Sequence, residues 1–169
     1  MKPTLTTDRL ALRPLSSDDA DALAKILGDP RRPAYLGERM DDPEDHRRRI
    51  EQRHADGDLE EPLGIWAIER RTDDTVVGVA LLKPLEGGPE VEVGWHLDPD
   101  VWGAGYATES ARILLDYAFN KLGLDRVVAV VDPRNGPSRR VIERLGMCPD
   151  GTGHYYDEQL DRFVITAEP

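Results

Sequence analysis

This chain is short of several things, and each shortage closes a class of protein. Its 169 residues include one cysteine, Cys148. That excludes an intramolecular disulfide and any metal site built on several thiolates. With nothing near it in sequence to activate a thiol, Cys148 reads as a small packing residue rather than a nucleophile. Cationic side chains are outnumbered, 22 Lys and Arg against 33 Asp and Glu, for a formal net charge of −11. Such a balance argues against a nucleic-acid partner, whose binders carry a basic excess, and against an anionic membrane surface. It favours a cationic partner, which a negative field concentrates. No apolar run approaches the roughly 20 residues that span a bilayer, and Met1-Lys2-Pro3-Thr4 lacks an apolar signal region. A cytoplasmic protein is expected. His46, His54, His96 and His154 show no metal-ligand spacing, so no metal is expected.

What is present is enough for one domain over residues 1–169. A chain of this length buries about 70% of its unfolded surface, which is an ordinary core. Thr6 to Leu15 reads as a strand, and Ser16-Ser17-Asp18-Asp19 as the N-cap of a helix with Ala20, Leu23, Ala24 and Leu27 on one face, ending at Gly28. A polar loop follows from Asp29 to Asp42. The next helix, from about Pro43 to Ala55, is almost wholly charged, and its one apolar anchor, Ile50, marks it as peripheral and mobile. Leu63–Glu69, Val76–Leu82 and Val91–Leu97 read as strands. The strongest helix carries Ala107, Ala111, Leu114, Leu115, Ala118, Phe119 and Leu122 as a stripe and ends at Gly123. Val127–Val131 is an unbroken β-branched run, as in a central strand buried on both faces. A short helix begins near Asn135, and the tail from Met147 to Ile165 reads as a hairpin turning near Asp157-Glu158. The order implies an α/β domain with a mixed sheet and one parallel β-α-β unit.

The stretch from Leu97 to Glu109 is the most informative. It follows a strand, contains Gly103 and Gly105, and runs straight into the strong helix. Two glycines allow a tight turn with several N–H groups converging, and the positive end of the helix dipole lies behind them. That is an anion site suited to phosphate or pyrophosphate. A P-loop would need Gly-Lys-Ser/Thr where the chain has Gly105-Tyr106-Ala107. A dinucleotide fingerprint would need glycine at Thr108. Neither fits, and a plain strand-to-helix turn remains the alternative. The segment from Arg134 to Arg144 adds four arginines (134, 139, 140 and 144) against one acid, close to the glycine turn if the β-α-β unit forms.

These residues resemble a family. Tyr106-Ala107-Thr108-Glu109-Ser110-Ala111 after the loop, then Asn135-x-x-Ser138 leading to Leu145-Gly146-Met147, look like the GNAT superfamily of acyl-CoA-dependent N-acyltransferases. The opening Thr6-Thr7-Asp8-Arg9-Leu10-x-Leu12-Arg13 is similar to its branch of RimJ- and RimL-type ribosomal-protein N-terminal acetyltransferases. The resemblance covers essentially the whole chain. It implies a mostly antiparallel mixed sheet of six to seven strands with flanking helices, acetyl-CoA as co-substrate in the gap between two splayed central strands, and allows a homodimer. The family's Q/R-x-x-G-x-G/A pattern falls on Trp102 to Ala107. Amides of Gly103, Ala104, Gly105, Tyr106, Ala107 and Thr108 would cradle the pyrophosphate. Trp95, His96 and Leu97 would pair with the pantetheine arm, Asn135 would contact the cofactor, and Ser138 would lie near the sulfur. Two departures stand out: Trp102 replaces the usual Gln/Arg, and Met147 the usual Phe. The family's tyrosine acid would fall on Ile142, so no tyrosine at that place serves here.

An amine attacks a thioester only as the free base, so a proton acceptor is needed, and the leaving thiolate benefits from a donor. A general base contributes about 10²–10⁴-fold. Glu92, just before the expected splay, is the candidate base, and Ser138 the candidate acid or donor to sulfur. On the acceptor side Tyr35, Trp66 and Tyr155 are candidates, with Tyr156 and His154 on the same hairpin. The acceptor would be a peptide N-terminus or a small cationic amine. A non-catalytic acyl-CoA-binding or partner-binding module is the competing reading.

Overall fold

The computed structural model describes residues 1–168. Eight strands form one sheet: β1 (Leu5–Thr6), β2 (Leu10–Pro14), β3 (Gly64–Arg70), β4 (Thr75–Pro84), β5 (Val91–Leu97), β6 (Arg126–Val131), β7 (Cys148–Tyr155) and β8 (Glu158–Thr166). Their order across the sheet is β1-β2-β3-β4-β5-β6-β8-β7. Every neighbouring pair is antiparallel except β5 and β6. The sheet is therefore mixed and mostly antiparallel as expected, with one strand beyond the six to seven anticipated. The extra strand arises at the N-terminus. Thr7-Asp8-Arg9 makes a tight turn, with the Thr7 amide donating to Leu10 O at 2.9 Å, and folds Leu5–Thr6 back onto Leu12 and Ala11.

Four helices cover the two faces: α1 (Ala20–Leu27), α2 (Pro43–Ala55), α3 (Tyr106–Asn120) and α4 (Gly136–Arg144). Alternation along the strands sorts the core into two layers. On one face Leu10, Leu12, Trp66, Ile68, Ala80 and Leu82 pack with Ala111, Leu114 and Ala118 of α3 and with Val141 and Ile142 of α4. On the other, Ala67 and Val79 pack with Leu23 of α1 and Ile50 of α2. The charged helix α2 is better tied than its sequence implied. Ile50 and His46 are both buried, and His46 Nε2 donates to Met40 O at 2.8 Å. Asp42 caps its first turn, accepting from the Glu44 amide.

The entry to α1 is fixed by a capping box, in which Ser16 and Asp19 satisfy each other's backbone N–H groups. Arg13 then clamps Asp19 with two hydrogen bonds of 2.8 and 2.9 Å and reaches Glu69 at 2.7 Å.

The irregularity that matters lies at the centre of the sheet. Strands β5 and β6 share one paired position, Glu92 with Val128, although β5 continues five residues further to Leu97. Beyond Glu92 the two strands part, and their backbone groups face a gap rather than each other.

Candidate active site

Two clefts open from that gap. The larger, of about 1080 Å³, runs between the glycine turn, the first turns of α3 and the exposed side of α4. The smaller, of about 360 Å³, lies between the parted strands and the β7–β8 hairpin. Tyr35, Leu36, Trp95, His96, Asn135 and Ser138 line both, so the clefts meet at these residues.

The floor of the large cleft is the glycine turn. Gly103 and Gly105 hold φ of +83° and +84°, which an L side chain rarely adopts. Gly105 serves as the N-cap of α3 and offers no side-chain oxygen. Among the described residues the amides of Tyr106, Ala107 and Thr108 find no backbone acceptor, so they remain available to an anion. Thr108 Oγ1, buried and on the same wall, has no hydrogen-bond partner. Free amides, a positive helix end and an orphaned hydroxyl fit a phosphate-bearing ligand such as acetyl-CoA.

The N-terminal strand braces this turn. Arg9 Nη1 donates to Ala104 O at 2.8 Å, and its Nε donates to Glu109 Oε2 at 2.7 Å. Thr7 Oγ1 donates to Glu109 Oε1 at 2.5 Å, and the Arg9 guanidinium lies 4.7 Å from the Tyr106 ring centroid. Burial works against the Glu109 charge, but Thr7 and Arg9 more than offset it and hold its carboxyl below the usual range. The Thr7-x-Arg9 opening and Glu109, far apart in sequence, thus form one brace. Trp102 lies alongside, its Nε1 donating to Leu97 O at 3.1 Å.

The four arginines of the 134–144 segment divide. Arg140 and Arg144 line the large cleft, with Arg112 of α3 beside them. Arg134 is paired with Asp132 at 2.7 Å, and Arg139 with Asp161. Arg32, from the loop after α1, also lines the cleft and donates to His96 Nδ1 at 3.1 Å. A guanidinium only donates, so Nδ1 is the acceptor and the ring hydrogen sits on Nε2. Burial, with the Arg32 charge beside it, pushes His96 down to about 4.

Where the clefts meet, Asn135 is buried and caps α4, its Oδ1 accepting from the Ser138 amide at 3.1 Å. The Ser138 hydroxyl makes no hydrogen bond among the described residues, which leaves it free to donate to a ligand. Glu92 is 5% exposed and lines the smaller cleft. Its Oε1 accepts from the Tyr156 hydroxyl and lies 3.2 Å from Lys83 Nζ. Tyr35 also lines that cleft, with the Arg134 guanidinium 5.3 Å from its ring centroid.

Two acceptor-side residues stand elsewhere. Trp66 is fully buried on the α3 face, edge-on to Tyr117 at 6.0 Å, its Nε1 donating to Pro3 O. It belongs to the core because β3 is a central strand covered on both faces. Tyr155 lines neither cleft, and its hydroxyl accepts from Arg162 at 3.3 Å. The hairpin turns one residue earlier than the sequence indicated, at Tyr156-Asp157, so Tyr156 takes the place on the cleft wall. Lys83, Asp132 and Glu158, which sequence reasoning passed over, line the smaller cleft as well. Two-residue alternation back from Glu92 and across β4 would have flagged Lys83, its paired neighbour. Among the described residues no group of three His, Cys, Asp or Glu side chains is placed to hold a metal ion. No helix there is long and apolar enough to cross a membrane.

A sheet parted at its centre, with a cradle for a phosphate-bearing ligand on one side and a carboxylate-lined pocket on the other, defines a two-cleft α/β transferase-like protein. The chain belongs to the GNAT acetyltransferases, as residues 9–148 match the family described as Acetyltransferase (GNAT) domain. It is 31% identical to the "Uncharacterized N-acetyltransferase p20" of Bacillus licheniformis, over 95% of this chain and 91% of that one. An acetyltransferase structure from Agrobacterium tumefaciens superposes with a TM-score of 0.79 at 30% identity, covering 99% of this chain and 96% of that one. Mycobacterium smegmatis RimJ, solved in complex with CoA-disulfide, has the same fold. Its TM-score is 0.75 at 22% identity, covering 98% of this chain and 86% of that one. Acetyl-CoA-dependent acyl transfer is therefore the activity class.

Proposed function

We propose that this chain, as a single cytoplasmic domain, transfers an acetyl group directly to an amine in a ternary complex. The acceptor is a peptide N-terminus, as the RimJ-like opening implies, or a small cationic amine. One observation carries the reading: the two clefts share six residues, from β5, the start of α4 and the loop after α1, so donor and acceptor can meet without a covalent enzyme intermediate. The large cleft takes the donor, with the 103–108 turn on its pyrophosphate, Arg140 and Arg144 facing its charge, and Trp95–Leu97 along its arm. A neighbour of the same fold being solved with a CoA derivative supports that assignment.

When bound, acetyl-CoA supplies an activated acyl group and a good leaving thiolate. The chain supplies the rest. Glu92 receives the proton that the amine must lose to attack. Backbone N–H groups released by the splay stand where negative charge develops, in a site that need not reorganise. Ser138, with its hydroxyl unengaged, donates to the departing sulfur. Holding both partners in one gap accounts for a further part of the rate.

The test pairs binding with turnover. Acetyl-CoA and CoA, at about 100 times their dissociation constants, should each stabilise the protein by about 2.7 kcal/mol, and NAD(P)H should not. Glu92→Gln should keep that stabilisation and lose about 10²-fold or more in CoA release. Stabilisation by both CoA compounds with no CoA release across amines and peptides would instead identify a binding module.

A further inference from the structure

Glu92 is engaged twice on one oxygen and not at all on the other. Oε1 accepts from Tyr156 and faces Lys83 at 3.2 Å, while Oε2 makes no hydrogen bond among the described residues. Lys83 also donates to the Tyr156 oxygen at 3.0 Å and lies 4.7 Å from its ring centroid. The three side chains come from β4, β5 and the tip of the β7–β8 hairpin, which only the folded sheet brings together.

Tyr156 holds its place against the preference of the turn. It has φ of +54° and Asp157 has +61°, a two-residue hairpin turn that favours Asn or Gly at its first position. An aromatic residue in that region is an outlier. Such strain persists where surrounding contacts over-determine it and clusters at functional sites. Here the Tyr156 amide donates to the Glu86 carboxylate, and its side chain grips Glu92 and Lys83. The residue remains 43% exposed, so packing alone does not account for it.

We propose that Tyr156 is a positioning residue for the base: its hydroxyl pins one oxygen of Glu92 so that Oε2 faces the acceptor amine in a single orientation. This rests on Glu92 being the base. A proton leaving the amine nitrogen then arrives at Oε2 while Oε1 stays held. Burial and the neighbouring Glu92 push the Tyr156 phenol above its usual range, so it stays protonated and donates. Lys83 is opposed by burial, yet Tyr156 and Glu92 hold it above its usual range, so it stays charged. The other titratable groups on the pocket walls are Tyr35 from the loop after α1, His96 from β5, Asp132 after β6 and Glu158 at the start of β8, and the Glu86 carboxylate meets the Tyr156 amide from outside.

The test uses the amine or peptide with which the wild-type protein releases CoA fastest. In the full-length protein Tyr156→Phe should lower kcat about tenfold and leave the KM for acetyl-CoA unchanged. In a Glu92→Gln background the same change should cost nothing further, because a residue that acts only through Glu92 has nothing left to position. Asn adopts positive φ readily, so Tyr156→Asn repeats the comparison where Phe unsettles the turn. An unchanged kcat in folded variants, or an equal loss in the Glu92→Gln background, overturns the proposal. Failure of the base reading looks different: Glu92→Gln alone would release CoA at the wild-type rate.

Discussion

Arg32 donates to Nδ1 of His96, and that bond limits how the ring can be used. The imidazole is a neutral Nε2–H donor at the junction of the clefts, held uncharged down to about pH 4 by burial and by Arg32. In the unfolded chain the same ring takes up a proton near pH 6.5. Between about pH 6.5 and 4 the unfolded state therefore binds more protons, and stability must fall as the pH drops through that window. Above it the contribution is constant. Asp29, Asp73 and Asp132 are held near 2 chiefly by Arg31, Arg70 and Arg134, from an ordinary value of 3.8. Their stabilisation is lost only at lower pH, as it falls from about 3.8 toward 2. Glu109 and Glu90, held below an ordinary value of 4.5, overlap the lower end of the His96 window, so His96 acts alone only in its upper part. Between about pH 6.5 and 5.5 melting temperature should slope in wild type, and that slope should be absent in His96→Gln. A slope that persists in His96→Gln would place the responsible proton elsewhere.

At the scale of elements, the N-terminus of α3 is where local geometry is closest to function. Gly105→Ala puts a Cβ into ordinary contact, 3.4 Å from Arg9 Nη2, so space is no obstacle; the φ of +84° is. The left-handed region costs a non-glycine residue about 1–2 kcal/mol. If the turn relaxes to avoid that cost, the amides lose their convergence, and the dissociation constant of acetyl-CoA should rise about tenfold or more. Gly123→Ala provides the comparison, since Gly123 has φ of +66° and open space around it at the far end of the same helix. It should lower the melting temperature to a similar degree and leave the acetyl-CoA affinity unchanged. Equal loss of affinity in both variants would mean that the cradle does not hold the donor. This turn was legible in the sequence because glycine spacing and an amphipathic stripe are local signals. So was β6, whose buried run Val127–Val131 has no polar interruption. The brace from Thr7 and Arg9 to Glu109 was not legible: its residues stand in two separate motifs of the resemblance, and their pairing spans about a hundred residues. Tyr156 was displaced by its neighbour Tyr155 because a shift of one residue in a hairpin turn exchanges its faces. Trp66 was misplaced for a related reason: alternation shows that a strand has two faces, not which one a helix will cover.

Across the whole molecule, the charge of −11 opposes an anionic donor and favours a cationic acceptor, and on the proposed assignment the two substrates enter by different clefts. Locally the donor cleft counters the net field with Arg112, Arg140 and Arg144. The cleft assigned to the acceptor adds to it: Glu92 and Asp132 are ion-paired, while Glu158 makes no ion pair among the described residues. Fields of this kind act within a Debye length, about 8 Å at physiological salt, and steer association more than they hold the bound state. With acetyl-CoA saturating, kcat/KM for a dicationic amine should fall several-fold as ionic strength rises from roughly 0.05 to 0.5 M. For a monocationic amine of similar size the fall should be shallower, and kcat should change little for either. Glu158→Gln should flatten the dicationic slope without altering kcat, because it removes a pocket charge and leaves the Glu92 pair intact. Equal slopes for the two amines would show that the acceptor is selected by the shape of the pocket, which favours a peptide end read by its first side chain over a small polyamine drawn in by charge.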